Sequence, residues 1–171
     1  MCFLILPSGS LAPRSPFRAL RCSIYRPHAL ATVSGPAPVI GLYDAPYWEH
    51  AAAGELRLQR CTACGHVRYP PGPVCPECLA PEHTWDLMSG TGTLLAWTVF
   101  HRPYFPGLPV PYVVLAVRTP EGPILVGNLA GAPRTALRHD MPLQAVFEHV
   151  TGPDGSWHLC QWAPAEPEEQ Q

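Results

Sequence analysis

From residue 93 onward the chain is written in short apolar runs cut by turn residues. Five strands are predicted: Thr93–His101, Tyr112–Arg118, Ile124–Leu129, Leu143–Val150 and Trp157–Trp162. Between them stand Pro103 to Pro111, Pro120-Glu121-Gly122-Pro123, Gly131-Ala132-Pro133 and Gly152-Pro153-Asp154-Gly155, all rich in residues that turn the backbone. The longest apolar-poor gap, between the third and fourth strands, contains Arg134–His139, enough for a helical turn. Five short strands with a helical insert after the third describe a five-stranded OB-type barrel, with a small SH3-like barrel as the alternative. Leu94-Leu95-Ala96-Trp97 and Tyr112-Val113-Val114-Leu115-Ala116-Val117 do not alternate apolar with polar. Strands that face water on one side should alternate, so these two are expected to be covered on both faces.

Upstream the period changes from two to helical. Residues 44–59 read as a helix in which Tyr47, Trp48, Ala51 and Ala52 share a face. Asp44 is placed to cap it, Pro46 falls in the first turn, where its missing N–H is harmless, and Gly54 is the expected stop. Residues 1–38 show no sustained period, and an unstructured extension is expected there; an organelle leader or a start placed too far upstream are the other readings. The division that follows is 1–38 extension, 39–58 helical segment, 59–88 metal-binding ribbon, 89–164 barrel and 165–171 acidic tail.

Charge narrows the class of partner. All 11 basic residues are arginine, and there is no lysine. Residues 1–40 carry four arginines and no acid, whereas residues 41–171 hold seven arginines against thirteen acids, a net −6. A body of that sign is a poor nucleic-acid surface, because affinity for phosphates comes mainly from Lys and Arg. No apolar run approaches the ~20 residues of a membrane-spanning helix. The 23 prolines disfavour long helices.

The strongest chemical signal is Cys61-Thr62-Ala63-Cys64-Gly65 with Cys75-Pro76-Glu77-Cys78, two Cys-x-x-Cys knuckles ten residues apart. Two cysteines three positions apart on a tight turn can aim both sulfurs at one ion, and a second such turn completes a tetrahedron. Gly65 allows the first turn a positive φ. Four thiolates leave no open position, so the site is structural rather than catalytic. Zinc is the first choice; a rubredoxin-like iron site or two disulfides remain as alternatives. Seven cysteines, four of them metal ligands, fit a reducing, cytoplasmic setting, with Cys2, Cys22 and Cys160 as incidental thiols. The Gly-x-Gly of Ser89-Gly90-Thr91-Gly92-Thr93 is followed by no helix, so its glycines are expected to start and bend a strand rather than cradle phosphate.

Several landmarks occur together: Gly54-Glu55-Leu56, Gln59-Arg60 before the first knuckle, Tyr69-Pro70-Pro71, Trp85, the glycine-rich turn at 89–93, and Trp97-Thr98-Val99-Phe100-His101-Arg102. With Gly127-Asn128-Leu129 and Met141-Pro142-Leu143, this arrangement from about Tyr47 to Pro164 resembles the zinc-ribbon/OB-fold family known as domain of unknown function thirty-five. The resemblance implies a mainly β protein: N-terminal helix, rubredoxin-like zinc ribbon, then OB-fold. It implies Cys61, Cys64, Cys75 and Cys78 as ligands of one structural zinc. It further implies an accessory subunit beside a thiolase-like enzyme or a hotdog-fold enoyl-CoA hydratase in lipid, steroid or polyketide metabolism, hence a hetero-oligomer that binds acyl-CoA. Two positions depart from the family pattern: Gln161-Trp162-Ala163-Pro164 replaces an aromatic-Arg-Pro ending, and Asp140 stands where a glycine is common.

Within that reading the apolar loop after the first barrel strand is the candidate acyl-CoA contact, through Arg102, Tyr104 and Phe105, together with Arg118. Arg134 and Arg138 are further guanidinium groups able to pair with phosphates. Whether the chain is itself catalytic stays open; of His66, His101, His139, His149 and His158, His101 beside that loop is the best candidate, and none lies in a recognisable catalytic motif. The competing function is a single-stranded nucleic-acid-binding OB-fold, with Trp97, Phe100 and Tyr112 as stacking platforms.

Overall fold

A computed structural model describes residues 37–104, 108–152 and 155–165. Phe105 of the candidate loop lies outside the described residues, as do residues 1–36 with Cys2 and Cys22.

Helix α1 spans Ala45–Ala52, shorter than the residues 44–59 expected from the pattern. Ala53 still caps it and Gly54 turns the chain away, after which Leu56 leads into a strand that holds Leu58, rather than continuing the helical face. Asp44 occupies the cap position but its side chain makes no cap hydrogen bond. The second helical residue is Pro46, which has no N–H to donate; Asp44 Oδ2 instead accepts from Trp48 Nε1 at 3.4 Å.

Two antiparallel sheets follow. Strands β1 (Arg57–Cys61), β2 (Val67–Arg68) and β3 (His83–Leu87) form a three-stranded ribbon in the order β2-β1-β3. Strands β4 (Thr91–Phe100), β5 (Tyr112–Arg118), β6 (Ile124–Asn128), β7 (Pro142–Gly152) and β8 (Gly155–Pro164) form a second sheet in the order β6-β5-β4-β7-β8. A 3-10 turn at Arg134–Ala136 fills the gap between β6 and β7. The first strand of this sheet pairs with both the second and the fourth, and the third meets the fifth through a parallel bridge, Leu129 with Trp162. Ala130 N donates to Trp162 O at 2.8 Å and Asn128 N donates to Gln161 Oε1, closing the sheet into an OB-type barrel.

Closure requires space at Trp162, which is 1% exposed. A side chain at Gly92 would collide with Val117 and come within 3.3 Å of the Trp162 ring; one at Gly127 would come within 2.9 Å of it. Gly92 stands near the start of β4, as the strand-starting reading anticipated, and it also makes a seat for the indole, which that reading did not foresee. The core does not stop at the barrel. Tyr47 of α1 and Leu56, Leu58, Val67 and Met88 of the ribbon are buried in one cluster with Leu94, Leu115, Leu143 and Trp162. Helix α1 packs against both β1 and β8 and so joins the two sheets.

The expectation that both apolar strands are covered on both faces holds for β5 and fails for β4. Among β5 residues only Arg118 is exposed. In β4 a register shift between Leu94 and Ala96 resets the alternation, so Trp97 and Val99 turn inward while Ala96, Thr98 and Phe100 face out. On the neighbouring edge strand Ile124 and Val126 are 50% and 61% exposed.

A polar knot sits beneath the ribbon. Arg68 is 4% exposed, and its Nε donates to Gln59 Oε1 at 2.6 Å and its Nη2 to Gly72 O at 3.0 Å. The same Gln59 oxygen accepts from Gly72 N at 2.9 Å, and Gln59 Nε2 lies 3.0 Å from His83 Nε2. A neutral amide thus holds a buried guanidinium, its own backbone loop and the opposite strand together.

Three substitutions test this packing. Gly127→Ala is expected to destabilise the fold by about 1–3 kcal/mol in a urea titration, because the added methyl overpacks the Trp162 seat. Gly72→Ala, whose Cβ meets nothing within 4 Å, should change stability by no more than ~0.5 kcal/mol. Gln59→Leu, which removes the acceptor for Arg68 and Gly72, should cost about 1–3 kcal/mol in the same measurement.

Candidate metal centre and the barrel mouth

Each knuckle is a tight turn; the first follows the end of β1 and the second lies in the loop between β2 and β3. Cys61 N donates to His66 O and Gly65 N to Cys61 O, both at 2.9 Å. The second knuckle repeats this: Cys75 N to Ala80 O and Leu79 N to Cys75 O, both at 2.9 Å. Gly65 takes φ +78° and its counterpart Leu79 takes φ +62°. Glycine meets that requirement without strain in the first knuckle; in the second a leucine, 71% exposed, is held in the left-handed region by the turn. The Cys-x-x-Cys spacing carries the signal for both turns, but no composition rule would single out Leu79.

The four sulfurs all lie within 4.8 Å of one another. Cys61 Sγ is 3.6 Å from Cys78 Sγ, and Cys64 Sγ is 3.5 Å from Cys75 Sγ. Disulfide sulfurs would be ~2.0 Å apart. Sulfurs at ~2.3 Å from a central tetrahedral ion would be separated by about 3.8 Å, which is close to the spacing seen. Backbone amides support the charge. Those of Cys64 and Ala63 point at Cys61 and hold its thiol down to about 7, against burial. Cys64 is pushed up to about 12 despite the His66 amide, because Cys78, burial, Cys75 and Cys61 all oppose a further negative charge there. Four thiolates so close require a cation among them, and the donor set fits a soft or borderline divalent ion with no open coordination position. Arg60 braces the site: its Nε is 2.6 Å from Asp86 Oδ2 and its Nη1 donates to Gly65 O at 2.9 Å.

The barrel-mouth residues fare differently. His101, Arg102 and Tyr104 are exposed together after the end of β4. Arg118 is not with them. It ends β5, opposite Thr93 and Ile124, whereas the loop joins the other end, where Phe100 pairs with Tyr112. Seven residues of strand separate the two ends by about 20 Å. Arg134 and Arg138 are exposed in the segment around the 3-10 turn. Of the rings considered for base stacking, Phe100 and Tyr112 stack on each other with centroids 4.9 Å apart and planes 5° apart. Trp97 packs against His139 at 4.9 Å, and His139 Nδ1 lies 2.8 Å from Leu95 O. His66 is half-buried; its carbonyl and amide both serve the first knuckle.

Comparison with known proteins agrees with this architecture. Residues 48–84 match the family model of the ChsH2 rubredoxin-like zinc ribbon domain, and residues 85–148 that of the ChsH2 C-terminal OB-fold domain. A Thermomonospora curvata protein named "Probable enoyl-CoA hydratase alpha subunit" is 39% identical over 110 residues, which is 63% of this chain and 34% of that protein. The 3-oxo-4,17-pregnadiene-20-carboxyl-CoA hydratase alpha subunit of Mycobacterium tuberculosis is 35% identical over 120 residues, 70% of this chain and 37% of that one. The chain thus spans about a third of the length of these two relatives. A DUF35 domain-containing scaffold protein of Pyrococcus furiosus is 25% identical over 109 residues, 61% of this chain and 77% of its own length. Among solved structures, the Ltp2-ChsH2(DUF35) aldolase matches with a TM-score of 0.68 and 34% identity, covering 76% of this chain and all of that one. Two matched modules in the same order, and a relative covered along its whole length, place this chain in the DUF35 family of ChsH2-type zinc-ribbon and OB-fold proteins.

Proposed function

We propose that this protein is an acyl-CoA-handling accessory subunit that docks on an enzyme of lipid or steroid metabolism, with one structural zinc held by Cys61, Cys64, Cys75 and Cys78. The observation that carries the reading is apolar surface left open where the barrel could have been polar. Ile124 and Val126 on the edge strand, and Phe100 and Tyr104 at the mouth, are all exposed. They form two separate patches, Ile124 and Val126 at the Arg118 end of β5 and Phe100 and Tyr104 at the mouth, and exposed apolar patches of this kind mark surfaces that another protein covers. The relatives supply the kind of partner: two are named as hydratase alpha subunits, and the similar solved structure is an aldolase assembly. A hydratase or aldolase chain is therefore the partner expected here, with a thiolase-like enzyme as the third possibility.

The acyl-CoA contact is assigned to the mouth, with Arg102 offering a guanidinium to a phosphate and Tyr104 a ring to the adenine or acyl chain. Arg118, at the far end of β5, is left out of that contact. His101 stands at the mouth beside Arg102, and among the described residues no side chain is hydrogen-bonded to its ring as an orienting partner would be. The cytoplasm is the compartment that suits four reduced cysteines; among the described residues no helix is long and apolar enough to cross a membrane.

Affinity purification from the native cell should return a stoichiometric hydratase, aldolase or thiolase-like chain, and omission of this subunit should weaken acyl-CoA binding or turnover by that enzyme. Recovery of the chain alone, with turnover unchanged by its omission, would overturn the reading. For the metal, plasma mass spectrometry should find one zinc per chain. Cys61→Ser, or a strong chelator, should remove it and lower the melting temperature, since metal binding at such modules is worth on the order of 10–16 kcal/mol. A visible iron–thiolate absorption band, or a metal-free protein of unchanged melting temperature, would contradict the assignment.

A further inference from the structure

A cavity of about 290 Å³ opens beside the start of α1; none of the four cysteines and none of the barrel-mouth residues lines it. Its walls include Tyr43, Tyr47, Trp48, Tyr69 and Pro70. Tyr47 and Trp48 meet edge to face, with centroids 5.3 Å apart and planes at 82°. Tyr47 and Tyr69 are 5.9 Å apart at 54°. Rings set at such steep angles line a hollow from several sides instead of stacking it shut.

The cavity has one charged wall, Asp44. No lysine, arginine or histidine lines it among the described residues. The Asp44 carboxylate is poorly satisfied. Among the described residues, Oδ2 receives only the long 3.4 Å contact from Trp48 Nε1, and Oδ1 is shut off from solvent with no donor. The segment at Gly41 lies over Oδ1, where a Cβ would come within 3.2 Å. Such an oxygen needs an explanation, and a nearby positive charge is the simplest one. A metal ion is a poor fit: the Cys61, Cys64, Cys75 and Cys78 group is the one cluster of metal-binding donors among the described residues. An anion, including any phosphate of CoA, would face a carboxylate and the negative faces of the rings. A cation is favoured by both, because aromatic faces attract positive charge and the low-dielectric walls extend the reach of Asp44 without a direct bond.

We propose that this cavity is a binding site for a compact organic cation, a quaternary ammonium or guanidinium head group, held by Tyr43, Tyr47, Trp48 and Tyr69 and neutralised by Asp44. The site is independent of the acyl-CoA reading, whose ligand is anionic and is assigned to barrel-mouth residues that do not line this cavity. Two sources share this chemistry. An arginine side chain of a bound protein would bring a guanidinium that stacks on rings, and a small choline-like molecule would bring a methylated ammonium.

The test is a titration of the isotope-labelled full chain, followed at the Trp48 indole N–H resonance at constant ionic strength. The probes are choline, its neutral isostere 3,3-dimethylbutan-1-ol, and N-acetyl-arginine methylamide. A saturable shift is expected from at least one of the two cations, about tenfold tighter than the response to the neutral isostere. Response to the arginine derivative alone assigns the source to a protein side chain; response to choline alone assigns it to a small molecule. Asp44→Asn should weaken the cation response about tenfold while zinc content and melting temperature are kept. Should that variant misfold, the cation-against-isostere comparison on the unaltered chain still decides. Equal responses to choline and its isostere with none to the arginine derivative, or no saturable response to either cation up to about 50 mM, overturn the proposal.

Discussion

Barrel closure depends on Trp162 lying against two positions that carry no side chain. The indole is the largest fully buried group among the described residues, and its space is made by Gly92 on β4 and Gly127 on β6. Its backbone carbonyl also receives the Ala130 amide that ties β6 to β8. One residue thus fills the barrel and holds its seam. The glycines that look like a phosphate loop are a consequence of this packing. A strand glycine loses more conformational freedom on folding than other residues do, and here the loss is offset by the burial of an aromatic side chain of this size.

The ribbon is organised by an opposite constraint. Its four sulfurs repel one another once ionised, so the knuckles can be tight only if a cation sits between them. What the protein contributes is amide hydrogen bonds aimed at the sulfurs and the Arg60 clamp across the first turn. The Gln59–Arg68 knot, by contrast, is a solution made of neutral and cationic groups alone, with no carboxylate brought into the interior.

The metal centre was legible because it depends on identity and spacing alone: four cysteines in two knuckles admit few arrangements. The barrel strands were legible because turn residues fence them, and the observed strands overlap all five expected runs. The ribbon strands were not marked individually, since β2 is two residues long and carries no period. The helix was overextended because Leu56 and Leu58 continue an apolar pattern while the backbone has already turned at Gly54. The bulge at Leu95 was invisible in a run that is apolar throughout, where either phase looks equally good. Arg102 and Arg118 look equivalent in sequence; only the direction of β5 shows that they stand at opposite ends. A buried Arg68 and an undersupplied Asp44 both belong to residue types expected outside, and no local signal marks them.

The shared core between ribbon, helix and barrel has a mechanical meaning. Two modules joined by a linker can swing, and a partner gripping one says little about where the other points. Here Tyr47, Leu58 and Trp162 belong to one packed cluster, so the thiol-bearing tip and the barrel mouth keep a fixed separation and angle. Any protein that seats itself on one end is thereby told the position of the other. Under the proposed function, the shared core would let this subunit set the alignment of a partner by its stiffness.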